Sequence, residues 1–456
     1  KTAARTCWPT TTSARRIWEC KPMLDAITLE NFKSYRKARL PLAPLTVLIG
    51  ANASGKSNAI EGMRLLSWLA QGRRLIDIQH AVQNGDRLVR GTMANLPHEN
   101  GDKFGLGATA SHALWQRLNM QLAYRQDGLH IVAETLSQPG ESVPLYELDY
   151  PSHERDTIVQ VAYNSFARGA KKPHIICTDQ AAIFTQLDSP ATFAAAHKAS
   201  GERIPAAVNQ LQSSLAAMLF LNPAPAFMRN YAFPSNHPFD RELQGDGSNL
   251  SAVIYNLWGA DRDKVIEAQR DEQEPFRQQR QAILDFIQSL PEQNIAGLSF
   301  LEEPRGGVML TLHETFGDQH RVYDASLLSD GTLRVLSIAA AMLSAEEGSL
   351  VVIEEIDNGV HPSRARHLLN NIREIAQRRN LRVLLSTHNP ALLDALPDAA
   401  LPDTLFCYRD PVQGDSRIIR LQDIPERTPR STSASIPNFF MLSDQRNPTE
   451  ELSCRA

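Results

Sequence analysis

Cysteine is scarce in this 456-residue chain, and the few present do not cluster: Cys7, Cys20, Cys177, Cys407 and Cys454 are widely spaced, odd in number and without a C-x-x-C pair. That pattern argues against a disulfide framework or a zinc site, and a reducing, cytoplasmic setting is the expectation. No apolar run approaches the ~18 residues of a spanning helix, and the N-terminus has no apolar signal core, so no membrane partner is expected. Neither sign of charge dominates. The formal net charge is −4, with no concentrated Lys/Arg block, so any DNA contact needs a local basic face. Long heptad stretches are missing too, which leaves no room for an extended coiled coil. The remainder is ordinary: 42% apolar and 21% charged residues describe a globular chain long enough for about two or three core-bearing units.

What is present begins at Leu45. The apolar run from Leu45 to Ile49 reads as a buried strand, Gly50-Ala51-Asn52-Ala53-Ser54-Gly55-Lys56-Ser57 follows at once, and Asn58 to Leu69 has the pattern of a helix. Strand, glycine-bounded loop and helix together make a phosphate loop. The glycines let successive N–H groups curl toward phosphate oxygens, Lys56 neutralises the outer phosphates, and the Ser57 hydroxyl can ligate Mg²⁺. Gly50, Asn52, Ser54, Gly55, Lys56, Ser57 and Asn58 are therefore the candidate nucleotide contacts. On its own this loop leaves a motor, a kinase and a GTPase open.

Three later patterns narrow the choice. Leu328-Ser329-Asp330-Gly331-Thr332 opens the apolar helix LRVLSIAAAML, and a serine with free N–H groups at a helix N-terminus is an anion cradle. The strand Leu350-Val351-Val352-Ile353 ends in Glu354-Glu355, followed by Ile356-Asp357-Asn358. After a helix expected over Ser363 to Arg379, the strand LRVLLS ends in Thr387-His388-Asn389-Pro390, which puts His388 on the ligand-binding edge of an α/β sheet. His361 reads as the start of the intervening helix.

Lys56, Ser329, Glu355 and His388, in that order, resemble the SMC, RecF and OLD-like branch of the ABC ATPases. The likeness extends to compact members in bacterial defence modules, similar to the ATPase components of Septu and PARIS. It implies ATP and Mg²⁺ as cofactors and gives each motif a role. Ser57 and Glu354 hold the metal, Glu355 polarises the attacking water, and Ser329 and Gly331 form the signature that grips the γ-phosphate. Asp357 lies in the loop linking two sites, and His388 is the switch histidine. Glu354 departs from the aspartate of most phosphate-loop proteins. In that branch a signature faces the phosphate loop of another subunit, so the expected partner is a second copy of the chain, in an ATP-sandwich dimer or a higher homo-oligomer. The preferred function on this reading is a nucleotide-driven sensor in anti-phage defence that controls a separate effector protein. The alternative is a RecF- or SMC-like ATPase that acts directly on DNA. A fused nuclease domain is not expected, because the stretch after His388 is short.

The expected fold class is α/β: an ABC-type ATPase head with a mixed sheet, an antiparallel β lobe and an inserted helical arm or lid. Residues 1–22 read as a tail and 23–175 as an N-terminal lobe. Within that lobe, Asp127-Gly128 joins two alternating stretches as a hairpin. Residues 176–295 read as the helical insertion, with an alanine-rich helix from Gln180 to about Leu219, a capped helix SAVIYNLW after Asn249, and a charged helix over Val265 to Leu290. Residues 296–424 form a C-terminal lobe that starts with a hairpin turning at Arg305-Gly306-Gly307, and 425–456 a disordered tail. The turn at Asn31 to Tyr35 resembles the opening of the same branch, which makes Lys33 to Arg36 candidate base contacts. Gln79 and Gln83 are candidates for the glutamine that senses Mg²⁺ in such enzymes, and Arg73-Arg74 read as basic residues in the last turn of the first helix.

Overall fold

The computed structural model describes residues 23–83, 86–153, 156–167, 172–235, 242–259, 274–287, 295–358, 362–389 and 391–423. The expected tails lie outside them, as do Cys7, Cys20, Cys454, His361, Pro390 and both ends of the helix expected over Val265 to Leu290.

The chain opens with β1 (Met23–Phe32), β2 (Tyr35–Pro41) and β3 (Thr46–Ile49), and then α1 (Lys56–Ala70). Two short strands, β4 (Val82–Gln83) and β5 (Asp86–Arg87), precede a meander: β6 (Lys103–Ser111), β7 (Arg117–Arg125), β8 (Gly128–Ser137), β9 (Tyr146–Tyr150), β10 (Ile158–Tyr163) and β11 (His174–Thr178). Next come α2 (Lys198–Ala216), β12 (Leu219–Leu221), α3 (Pro225–Met228), α4 (Leu250–Trp258) and α5 (Glu274–Ile287). A small sheet of β13 (Ile295–Glu302), β14 (Val308–Phe316) and β15 (Gln319–Asp324) leads into α6 (Asp330–Ser344). The chain closes with β16 (Leu350–Ile353), α7 (Pro362–Arg378), β17 (Arg382–Thr387), α8 (Ala391–Asp394), β18 (Thr404–Arg409) and β19 (Ser416–Arg420).

A six-stranded sheet in the order β12-β16-β17-β3-β18-β19 forms the middle layer; its pairs are parallel except for the final β18–β19 hairpin. Its strands β12, β16, β17 and β3 are buried on both faces, which is why they read as apolar runs. Alternate residues go to opposite cores. Leu48, Leu350, Val352, Leu384 and Leu405 join α1, α2 and an eight-stranded antiparallel sheet, ordered β11-β10-β9-β8-β7-β6-β1-β2, on one side. Val47, Ile49, Val351, Ile353, Val383 and Leu385 join α4, α5, α6 and α7 on the other. The fold is thus α/β: a phosphate-loop sheet, a large antiparallel sheet, a small β lobe and inserted helices.

Both expected hairpins form, β7 with β8 and β13 with β14. Three local expectations need correction. The alanine-rich stretch is helical only from Lys198. Before it run two short 3₁₀ turns, Ile183–Gln186 and Pro190–Thr192, and the buried Glu134 carboxyl takes the N–H groups of Ile183 and Phe184 at 2.9 and 2.8 Å. Arg73 and Arg74 lie beyond the end of α1, which stops at Ala70 with Gly72 in a left-handed conformation (φ 72°). Asn249 precedes α4 without capping it: its side chain turns back, accepting from Gln244 N at 2.8 Å and donating to Glu242 O at 2.9 Å. A third strand of the small sheet, β15, was not foreseen. Its QHRVYD sequence is exposed for most of its length and lacks clear alternation.

Candidate functional site

Parallel packing sets the site. β16, β17 and β3 are neighbours, so their C-terminal ends bring Glu354-Glu355, His388 and the phosphate loop to one edge of the sheet. The loop itself is closely backed. A Cβ on Gly50 would lie 2.3 Å from the Cys407 carbonyl, and one on Gly55 (φ 118°) 2.4 Å from Ser416 Oγ, so both positions demand glycine. Tyr35 Oη donates to Gly55 O at 3.0 Å and meets Cys407 Sγ at 3.2 Å, and the Cys407 thiol donates to Ser54 O at 3.4 Å. Burial raises the pKa of both the Tyr35 phenol and the Cys407 thiol, so this floor stays neutral.

Lys56 Nζ folds over its own loop, donating to Gly50 O at 2.5 Å and Ala51 O at 2.9 Å. Burial holds its ammonium below the usual range, while Cys407, Glu355 and Asp357 act in the opposite direction. Asn58 Nδ2 donates to Ser34 Oγ at 2.8 Å, which ties the turn between β1 and β2 to α1. Within that turn Lys33 pairs with Glu61 and Arg36 with Glu99, so these two candidates are engaged by protein carboxylates.

The acidic edge is equally ordered. Glu355 has a left-handed backbone (φ 50°). Its N–H donates to Ser386 Oγ at 3.1 Å and its carboxylate accepts from Asn358 Nδ2 at 2.5 Å. A non-glycine residue held in this region marks a strained position at a strand end. His388 Nδ1 lies 3.2 Å from Asp357 Oδ2; the histidine side chain is 43% exposed and the aspartate 7%. Glu354 accepts from Arg64 Nη2 at 2.5 Å. A cavity of about 370 Å³ is lined by Ser57, Glu61, Arg64, Arg90, Asn222 and Glu354 among others.

ATP and Mg²⁺ fit what is there. Ser54 Oγ and Asp357 Oδ1 are buried polar atoms without a hydrogen-bond partner among the described residues, and Ser57 and Glu354 offer hard oxygen donors to one cavity. Gln79 is exposed on a 3₁₀ turn spanning Leu75–His80, and the side chain of Gln83 lies outside the described residues.

The signature residues form their own cluster. Ser329 Oγ accepts from Thr332 N at 3.1 Å as the N-cap of α6. Arg229, from the segment after α3, donates to Leu328 O at 3.0 Å and to Asp330 Oδ1 at 2.6 Å. Phe227, Tyr231 and Leu327, close in sequence to these residues, are exposed. Arg64 and Arg229 were not assigned roles from sequence. Arg64 follows Ser57 by seven positions and so shares its helix face; for Arg229 the residues around it give no chemical role.

A family profile described as "AAA domain, putative AbiEii toxin, Type IV TA system" matches residues 185–394, and one described as "AAA ATPase domain" matches residues 23–81. The second contains the phosphate loop; the first contains Ser329, Glu354, Glu355 and His388. The chain therefore matches AAA-type ATPase sequence in both stretches, which supports ATP binding and hydrolysis in general terms. No curated protein matches it. Among solved structures it is similar to an SMC head bound to the C-terminal winged-helix domain of ScpA, with 13% identity over 88% of this chain and 99% of that one and a TM-score of 0.42. The Pyrococcus furiosus SMC head bound to the C-terminal domain of ScpA gives 12%, 87%, 96% and 0.43, and the Thermotoga maritima SMC head 13%, 88%, 99% and 0.35. Likeness at that level decides nothing about activity. Among the described residues no helix is long and apolar enough to cross a membrane.

Proposed function

We propose that this chain is the ATP-hydrolysing head of a dimer in which each nucleotide lies between two copies. One copy supplies Lys56, Ser57, Glu354, Glu355 and His388, and the other supplies Ser329 and Gly331. The observation that carries this reading is the convergence of the phosphate loop, the paired carboxylates and the His388–Asp357 pair on neighbouring strand ends, while the Ser329 turn is built and braced separately by Arg229. Lys56 leaves its loop carbonyls to meet phosphate. Ser57 and Glu354 would hold Mg²⁺, which would neutralise phosphate charge. Glu355, held by Ser386 and Asn358, orients the attacking water and takes its proton. Asp357 engages His388 Nδ1 and leaves Nε2 for the nucleotide.

The test is phosphate release alongside particle mass with and without ATP. Folded protein that binds no ATP overturns the reading, and so does hydrolysis by a monomer that Ser329→Arg leaves untouched.

Direct action on DNA is the reading of what the cycle drives. Its support is the polar outer face of the eight-stranded sheet. There Arg39 pairs with Thr28 and Lys37 with Glu30, beside a concavity of about 380 Å³ lined by Arg117, Asn119 and Gln121 among others. Duplex binding that weakens steeply with salt, and is lost when Lys37, Arg39 and Arg117 are changed to glutamate, is the expected result. Control of a separate effector is the second reading, favoured by the toxin–antitoxin description of the profile matching residues 185–394. DNA affinity unaltered by those three changes, together with a co-purifying effector, decides for it.

A further inference from the structure

Glu354 is already engaged by a cation from its own chain. Arg64 Nη2 meets Glu354 Oε1 at 2.5 Å, and the two side chains are only 11% and 17% exposed. The guanidinium lies 5.6 Å from the centre of the Phe220 ring, and its buried Nε has no hydrogen-bond partner among the described residues. The Arg64 guanidinium is thus held over the Phe220 ring and by one strong charge-assisted bond, with its Nε still unpaired among the described residues. Ser57 and Arg64 lie two helical turns apart on the same face of α1, and with Glu354 they line one cavity. A glutamate at this strand end has one methylene more than an aspartate, and the longer side chain spans the gap to α1.

We propose that Arg64 is a positioning residue that masks Glu354: it holds the carboxylate away from the metal position until nucleotide is bound. The inference rests on the ATPase reading, because it takes Glu354 as a metal ligand. Two cations cannot share this half-buried carboxylate without strong repulsion, so a divalent ion arriving alone has to displace the guanidinium from a short, poorly hydrated pair. The same pairing neutralises Glu354 while phosphates enter beside it. The masked site therefore accepts nucleotide readily without metal and metal poorly without nucleotide, which sets an order of binding.

The test uses Mn²⁺ as the probe, with free Mn²⁺ read by electron paramagnetic resonance, and a non-hydrolysable ATP analogue in the presence of a chelator. Arg64→Met keeps an unbranched apolar stem and removes the charge. It should bind Mn²⁺ about tenfold more tightly than wild type in the absence of nucleotide, and the analogue without metal about tenfold more weakly. A residue that merely staples α1 to β16 would not move these two affinities in opposite directions. Adding Glu354→Gln to Arg64→Met should abolish the gain in Mn²⁺ affinity. Where Arg64→Met does not fold, Arg64→Lys decides: its shorter, compact ammonium should give a gain of about threefold. Variants that bind Mn²⁺ no better than a wild type competent for the analogue with Mn²⁺ overturn the masking alone. A wild type that binds neither overturns the ATPase reading and this inference with it.

Discussion

The two halves of the proposed site are built on different principles. At the strand ends, charged side chains are engaged within the chain: Lys56 by its own loop carbonyls, Glu354 by Arg64, Glu355 by Asn358 and Asp357 by His388. At the signature turn, Ser329 caps its helix, Arg229 braces the loop from behind, and the neighbouring Asp330 and Leu327 remain exposed. The first half is held closed by contacts that ligand binding must exchange. The second is braced by hydrogen bonds within the chain that leave Ser329 at the helix start. Such a division suits a site where one copy carries the chemistry and the other reads the result.

The comparison breaks most sharply at Glu355. Glu355→Gln keeps the hydrogen bond to Ser386 through the backbone but removes the base, so steady-state phosphate release should fall about 10²- to 10⁴-fold while ATP still binds. Closed dimers should accumulate and be visible by light scattering. Unchanged turnover removes Glu355 from the chemistry.

Ser329→Arg and Lys56→Ala spoil opposite halves, and each alone should be inactive. Mixed in equal amounts, they form heterodimers in about half the population, each with one intact site of two, and so recover roughly a quarter of wild-type hydrolysis. A mixture as inactive as its parts, at every ratio, means that the halves are not shared between copies.

A milder change tests the bracing. Arg229→Ala deletes the bonds to Leu328 O and Asp330, and because Asp330 is largely exposed most of the effect comes from the carbonyl. Hydrolysis should drop about tenfold with ATP binding to the isolated chain unaltered. Equal losses in both would place Arg229 in the general stability of the fold instead.

Much of the first half was legible because its signals are local. A strand, a glycine turn and a helix lie within a few residues around Lys56, and the apolar run into Glu354-Glu355 is continuous. Both hairpins were legible for the same reason, in the alternation and turn residues around Asp127-Gly128 and Gly306-Gly307, while the fold class followed from the order of the motifs at Lys56, Ser329, Glu355 and His388. What escaped is held by contacts between distant segments. Tyr35, Cys407 and Ser416 back Gly50 and Gly55 of the loop from positions far from it in the sequence. Arg64 and Glu354 meet only because α1 and the end of β16 border the same cavity. Residues 180–197 misled for a related reason: alanine favours helix locally, but Glu134 on β8 captures two of the N–H groups a helix there would use.

Glu134 also supplies the smallest expected effect on activity, since it lies in the large-sheet core away from both halves. Its carboxyl is buried and accepts from Tyr146 Oη at 2.7 Å as well as from Ile183 and Phe184. Burial pushes it up to about 7, against the pull of those three donors. A carboxyl raised on folding binds a proton in the native state that the unfolded chain has already released. Its stabilising contribution is therefore fully present below the unfolded value, near 4.5, and is lost as pH rises through about 7. Glu134→Gln cannot ionise, and its amide sets a donor against a donor, at a cost of about 1–3 kcal/mol. The gap in Tm between wild type and variant should then narrow between about pH 5 and pH 8, with ATP hydrolysis per folded molecule unchanged. A gap that widens with pH means that the three donors outweigh burial and that Glu134 is ionised in the native core.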